Sequence, residues 1–291
     1  MSTHIYGNIV THHGAAANNR GENDGNITTL QKLLWKGNVH TTVSSEAIRW
    51  AIRYFWQLRG LPVNRVWNPE KDTHEWKDEK WTAWAKGTGE TFIDDDVLGF
   101  MKAEGAKAEG GKGEKGHADK RRGVLEVARA VSTTPFAGDI TFNAKSGFKE
   151  RTSLYGTEVH ATRYQYGFAF TPDRLRDAGR AAQVLEAICN LGEVAGNHSR
   201  FLFDFSPESV VLRLTDDPAP RLLFCMTEQN DEVQAGALID LLESKDVKPE
   251  EIYVGGLVSK AYDWKKHAGV HAFAGVKDAF AALQADLAKR K

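Results

Sequence analysis

The chain has only two cysteines in 291 residues, Cys189 and Cys225. They stand far apart in apolar surroundings and read as small core hydrophobes. That excludes a disulfide scaffold and makes a reducing cytoplasm the expected compartment. The formal net charge is −1, so there is no global basic field, and any contact with nucleic acid must come from a local patch. No apolar run is long enough to span a bilayer, so no membrane partner is expected. Met1-Ser2-Thr3-His4 lacks the basic start and apolar stretch of a signal peptide. The length suits one large domain or two small ones. One residue type is abundant: of eight tryptophans, Trp56, Trp67, Trp76, Trp81 and Trp84 crowd into one short region.

The most informative stretch is Asn18-Asn19-Arg20-Gly21-Glu22-Asn23-Asp24-Gly25-Asn26. It holds amides, glycines, charged residues and nothing apolar, so no core can use it. A loop that grips a charged ligand with backbone and side-chain amides can, although an Asx-rich turn with a solvated arginine has the same composition. Residues 44–59 form the clearest helix. Ser44 caps it, Glu46 suits its positive end, and Ala47, Ile48, Ala51, Ile52 and Phe55 make one apolar stripe. Arg49 and Arg53 lie one turn apart on another face, where like charges repel slightly and an anion would compensate. Two solvated arginines explain the spacing equally well.

Residues 62–89 are polar and tryptophan-rich, as in an insertion packed by aromatic plugs. Residues 93–101, with Asp94-Asp95-Asp96, read as a short strand or turn. Residues 103–120 are low-complexity Gly, Ala, Lys and Glu, expected to be a disordered loop. Their Gly111, Gly113 and Gly116 mimic a dinucleotide fingerprint, but no strand precedes them and no amphipathic helix follows. Strands are expected at 4–10, 124–135, 157–171, 209–215 and 221–226, and helices at 172–192, 233–244 and 270–290. Residues 138–156 read as a protruding hairpin carrying Lys145, Phe148, Lys149 and Arg151. Stripped of insertions the order is β-α-β-β-α-β, a ferredoxin-like (RRM-like) α+β palm, a scaffold that in other proteins binds RNA on an open sheet face.

Several segments, in consistent order along most of the chain, resemble a known family. They are Gly7-Asn8-Ile9-Val10-Thr11, Ala17-Asn18-Asn19-Arg20-Gly21-Glu22, Thr28-Thr29-Leu30-Gln31-Lys32, and Val43-Ser44-Ser45-Glu46-Ala47-Ile48-Arg49-Trp50-Ala51-Ile52-Arg53. They continue with Asn64-Arg65, Asp96-Val97-Leu98-Gly99-Phe100-Met101, Glu158-Val159-His160 and Gly196-Asn197-His198. The family is the repeated backbone subunit of type I CRISPR Cascade complexes, the DevR branch of the repeat-associated RNA-binding superfamily.

The resemblance implies a ferredoxin-like palm (1–61 and 121–291), an inserted fingers region (62–120) and a thumb hairpin (138–156). It implies a non-catalytic protein that polymerises along a CRISPR guide RNA in an antiviral, DNA-targeting complex. Its partners would be the guide, the target DNA strand paired to it, other copies of itself, other Cascade subunits and a recruited helicase-nuclease. Guide contacts would fall to Asn18, Asn19, Arg20, Ser45, Arg49, Arg53, Arg65, Lys145, Phe148, Lys149, Arg151, Asn197, His198 and Arg200. Arginine suits phosphate because its fork donates bidentately. Each candidate has a plainer reading: Ser45 a second cap, Arg65 a surface ion pair, the thumb cations solvated, and 196–200 an ordinary turn.

Two rivals stand beside this reading. Clustered Asp94, Asp95 and Asp96 raise a metal-dependent ribonuclease of the same fold, although no Lys/His partner pattern accompanies them. The other is a ferredoxin-like assembly protein that binds no nucleic acid. His12-His13 and His267/His271 lack cysteine partners, and Gly269 interrupts the second pair, so no metal or cofactor is expected.

Overall fold

The computed structural model describes residues 2–17, 20–86, 91–103, 118–144, 154–196 and 198–290. Its centre is the strand His4–Thr11, buried along its whole length. Such a strand has a packed layer on each face and cannot show a clean polar alternation. Tyr164–Phe170 and Pro207–Thr215 flank it, both antiparallel. Leu125–Val127 and Ala130–Ser132 pair with the far side of Tyr164–Phe170. The sheet then extends one way through Asn38–Val43 to an edge at Lys32–Trp35, and the other way through Ile252–Gly256 to His271–Phe273. It has nine strands.

One face carries Ile5, Ile9, Tyr164, Tyr166, Phe168, Phe170, Val210 and Leu212. It packs on helices Ser45–Leu58, Arg180–Cys189 and Val276–Lys289 through Ile48, Ile52, Trp56, Val184, Leu185, Ile188, Phe280 and Leu283. Ser44 caps the first helix, its Oγ accepting from the Ala47 N–H at 3.2 Å. Gly7 is needed for contact: a Cβ there would lie 2.1 Å from the Phe168 ring. The other face, with Tyr6, Val10, Val211 and Val254, is covered by Leu222, Cys225, Met226, Leu238 and Trp264. Over these central strands it is therefore not open for base stacking, and a Cβ on Gly167 would meet Leu223 at 2.5 Å.

A second sheet runs in the order Asp139–Ala144, Leu154–Thr162, Ile27–Leu30, Arg20–Asp24, with Gly14–Ala16 also on Leu154–Thr162. Asp139–Ala144 and Leu154–Thr162 pair antiparallel from Asp139↔Val159 to Ala144↔Leu154. Ile27–Leu30 joins them in parallel. The polar stretch after Asn19 is therefore strand rather than loop, and it shares a sheet with the hairpin.

Other elements depart from the sequence reading. Residues 157–171 are two strands broken at Arg163, a buried residue whose guanidinium is held by Glu208 and Glu228. Residues 124–135 likewise divide, at Ala128 and Arg129. Residues 93–101 hold a helix, Ile93–Leu98, whose three aspartates sit in its first turn where the dipole favours anions. Residues 221–226 are not a strand, because Arg221 and Phe224 adopt left-handed backbone. The C-terminal segment opens with His271–Phe273 before its helix. At the ends of the low-complexity segment, Phe100–Ala103 pairs with Ala118–Arg121; residues 104–117 lie outside the described residues.

Candidate nucleic-acid interface

Seven of the sequence candidates are described: Arg20, Ser45, Arg49, Arg53, Arg65, His198 and Arg200. Asn18, Asn19, Lys145, Phe148, Lys149, Arg151 and Asn197 lie outside the described residues. The described ones fall into two groups.

The first group borders the second sheet. Arg20 begins an exposed strand. Gln31 Nε2 donates to its carbonyl at 3.2 Å, Arg129 Nη1 donates to Gln31 Oε1 at 3.0 Å, and the same Nη1 reaches Thr42 Oγ1 at 3.2 Å. A polar seam thus runs from the amide-rich stretch to the start of the first helix, where Ser45 Oγ donates to Glu46 at 3.2 Å. Arg200 meets strand Leu154–Thr162 from another side: its Nη1 donates to the Tyr155 hydroxyl at 2.9 Å, and its guanidinium lies 5.3 Å from that ring. His198 Nε2 sits 2.9 Å from the Val194 carbonyl, and its Nδ1 is buried without a partner. On the same strand, Glu158 accepts from the Leu30 N–H at 2.7 Å and pairs with Lys32, whose ammonium also lies 4.7 Å over the Phe136 ring.

The second group faces inward. Arg49 donates to the Leu98 carbonyl. Arg53 Nε lies 3.1 Å from Asp94, which also accepts from the backbone N–H groups of Asn64 at 2.7 Å and Arg65 at 3.1 Å. The chain's own Asp94 thus compensates Arg53, while Arg49 is held by a backbone carbonyl. Burial lowers the pKa of Arg49 and Arg65, and the neighbouring Arg53 charge adds to both shifts. Arg65 leans on Trp76, 5.5 Å from the ring, with its Nε unpartnered.

The three aspartates are fully engaged. Asp95 accepts from Trp81 Nε1 at 3.0 Å and Asn64 Nδ2 at 2.9 Å, and burial, with Asp94 second, raises its carboxyl to about 7. Asp96 accepts from Arg121 and Arg180 and from the N–H groups of Arg176 and Asp177. Asp94 ties this segment to the first helix, Asp96 ties it to residues 176–180, and Asp95 holds Asn64 and Trp81 together within residues 62–98. Among the described residues no three His, Cys, Asp or Glu side chains gather as a metal site.

Arg129 and Tyr155 were not singled out from sequence. Arg129 looks like an isolated charge in an apolar run, and only the pairing of Ala130 with Val43 brings it beside Thr42 and Gln31. Tyr155 had a signal, an aromatic on a polar hairpin, but nothing in sequence links it to Arg200.

No family model matches the chain. Two solved chains share its fold. One, a chain of a CRISPR RNA-guided surveillance complex, superposes with a TM-score of 0.57 at 16% identity, covering 99% of this chain and 100% of that one. The other, from a CRISPR RNA-guided surveillance complex in a pre-nicking state, gives 0.59 at 13% identity over 97% and 99%. The class is thus that of the mixed α+β chains found in such complexes. Sequence narrows it: the chain is 49% identical over 269 residues, 89% of its length and 88% of the relative's, to the CRISPR-associated protein Cas7/Cst2/DevR of Myxococcus xanthus (strain DK1622). It belongs to the Cas7/Cst2/DevR family.

Proposed function

We propose that the protein is a guide-RNA-binding backbone subunit that polymerises along CRISPR RNA in a Cascade-type, DNA-targeting surveillance complex. Family membership at 49% identity over most of the chain carries this reading. In it, the antiparallel unit with spatial order Pro207–Thr215, His4–Thr11, Tyr164–Phe170, Leu125–Ser132 is a ferredoxin-like palm. Residues 62–120 are the fingers, and the sheet holding 139–144 and 154–162 is the thumb. The target DNA strand, paired to the guide, and a recruited helicase-nuclease complete the set of partners.

The seam from Arg20 through Gln31 and Arg129 to Ser45, together with Arg200, His198, Asn197 and the thumb tip (Lys145, Phe148, Lys149, Arg151), is proposed to track the sugar-phosphate backbone with Asn18 and Asn19. Arg49, Arg53 and Arg65 act one step behind, holding the 93–98 helix against the palm. The role is scaffolding without chemistry: bases read sequence, and the protein holds their backbone. The spent oxygens of Asp94, Asp95 and Asp96 favour a structural role for them over metal-dependent ribonuclease activity.

The test is to purify the protein and titrate it with two unrelated RNAs of equal length. Near-equal affinities that fall steeply with salt are expected. A strong, salt-independent preference for one sequence would overturn the scaffold reading. A preparation with no nucleic-acid absorbance and no RNA binding would favour the assembly-protein alternative.

A further inference from the structure

At the edge of the large sheet, away from the three helices, lies a cavity of about 240 Å³. Its mouth is aromatic. Trp35 and Phe224 stand with ring centroids 5.0 Å apart and planes tilted by 49°, both half-buried. Both are fixed by unusual backbone. Trp35 ends a hairpin strand whose two-residue turn places Lys36 at φ 48° and Gly37 at φ 84°, the mirror-image turn that matches strand twist. Phe224 itself has φ 56°, and its N–H donates to the fully buried Asn8 at 3.0 Å. Backbone strain of this kind persists only where surrounding structure enforces it.

The inner wall carries two acceptor side chains, His40 and Glu228. His40 is 6% exposed and makes both its bonds, to the Ser132 carbonyl at 2.7 Å and to the Ser132 hydroxyl, through Nδ1. The carbonyl accepts only, so Nδ1 carries the proton, and in the neutral ring Nε2 is then an acceptor. Glu228, tied to Arg163 and Thr133, keeps further lone pairs on the same wall. At the rim Lys36 supplies a cation.

We propose that this cavity holds one unstacked nucleobase of a bound strand, a base that presents N–H donors. The proposal rests on the RNA-binding reading above. The ring would slot against Trp35 and Phe224, its amino or imino hydrogens would meet His40 Nε2 and Glu228, and Lys36 would meet the adjoining phosphate. Every base has a face to stack, and stacking on aromatic side chains is a main source of affinity for single strands. An apolar side chain from another protein would satisfy the aromatic mouth but bring no donor to His40 Nε2 or to the remaining lone pairs of Glu228.

The experiment measures anisotropy of a labelled RNA short enough to hold one copy of the protein. The proteins compared are wild type, Trp35→Ala, Phe224→Ala and the conservative Trp35→Phe. Each alanine variant should weaken binding about tenfold, with the salt slope unchanged because no phosphate contact is lost. Trp35→Phe should restore most of the affinity. Iodopyrimidine-substituted RNA should photo-crosslink to peptides containing Trp35 or Phe224. Phe224→Ala also touches the core around Leu222 and Met226, so its melting temperature is measured; Trp35, on the edge hairpin, keeps the test valid if that variant unfolds.

Alanine variants that bind as wild type does, with crosslinks elsewhere, would overturn the pocket while leaving the RNA-binding reading intact. A wild-type protein that binds no RNA would overturn both. If Trp35→Ala leaves single-copy affinity unchanged but reduces self-association by light scattering, the cavity receives a protein side chain and the nucleobase assignment is wrong.

Discussion

At the residue scale, the aspartate triplet decides between a scaffold and a nuclease, and each member makes a distinct prediction. Asp96 is fully buried and compensates Arg180, itself nearly buried, and Arg121. Removing one partner of such a pair leaves the other charge unpaired in the interior. Asp96→Ala should therefore cost about 3–5 kcal/mol in denaturant unfolding; a loss within experimental error would show that water reaches the site.

Asp95 predicts a pH dependence. Its carboxyl is raised to about 7 in the folded protein against 3.8 ordinarily, by burial and then by Asp94. Between those values the folded state keeps a proton that the unfolded chain has lost, so stability falls as pH rises through this window and levels off above it. The neutral Asp95→Asn lacks this contribution. From about pH 4.5 to about 7.5 its melting temperature should fall less than that of wild type, and parallel curves would contradict the raised value. RNA incubated with the wild-type protein and Mg²⁺ should remain intact; cleavage abolished by either substitution would revive the nuclease alternative.

At the element scale, the second sheet is the feature that matters. A two-stranded hairpin is marginal in water, but this one has Ile27–Leu30 as a third strand and Glu158 beneath it, bonded to Leu30 and Lys32. Glu158→Ala should speed amide exchange at residues 28–30 and 156–157 and leave the nine-stranded sheet protected. Uniform protection in both sheets would mean that Glu158 does not clamp them.

Much of the large sheet was legible from local pattern: Ser44 as a cap, the apolar stripe of the first helix, and the alternating aromatics Tyr164, Tyr166, Phe168 and Phe170. What was not legible was long-range pairing. The parallel contact of Gly156 with Ile27 joins residues more than a hundred positions apart, and no local periodicity reports it. Nor could the spacing of Arg49 and Arg53 show that Arg53 pairs with Asp94 and Arg49 with the Leu98 carbonyl, because both partners lie far along the chain. Arg163 hid the strand break for the same reason: its partners Glu208 and Glu228 come from later in the chain.

At the scale of the whole molecule, the net charge of −1 bears on how the protein assembles. With no global field to condense it on RNA, the proposed interface relies on the local seam around Arg20, Arg129 and Arg200 and on contact between copies. Affinity should then depend on RNA length more than on composition, rising once a strand is long enough for a second copy. Removing residues 143–152 separates the two contributions. Both hydrophobic cores lie elsewhere, in the layers on either face of the nine-stranded sheet, so the deletion should leave a cooperative thermal transition close to that of wild type. It should weaken RNA-dependent assembly, seen as loss of the large species in size-exclusion chromatography with light scattering, while single-copy binding to short RNA falls less. Assembly of unchanged stoichiometry would show that the hairpin does not act between molecules. Failure to fold would show that Asn143 and Ala144, with the hairpin tip, support the core across the Gly156–Ile27 pairing.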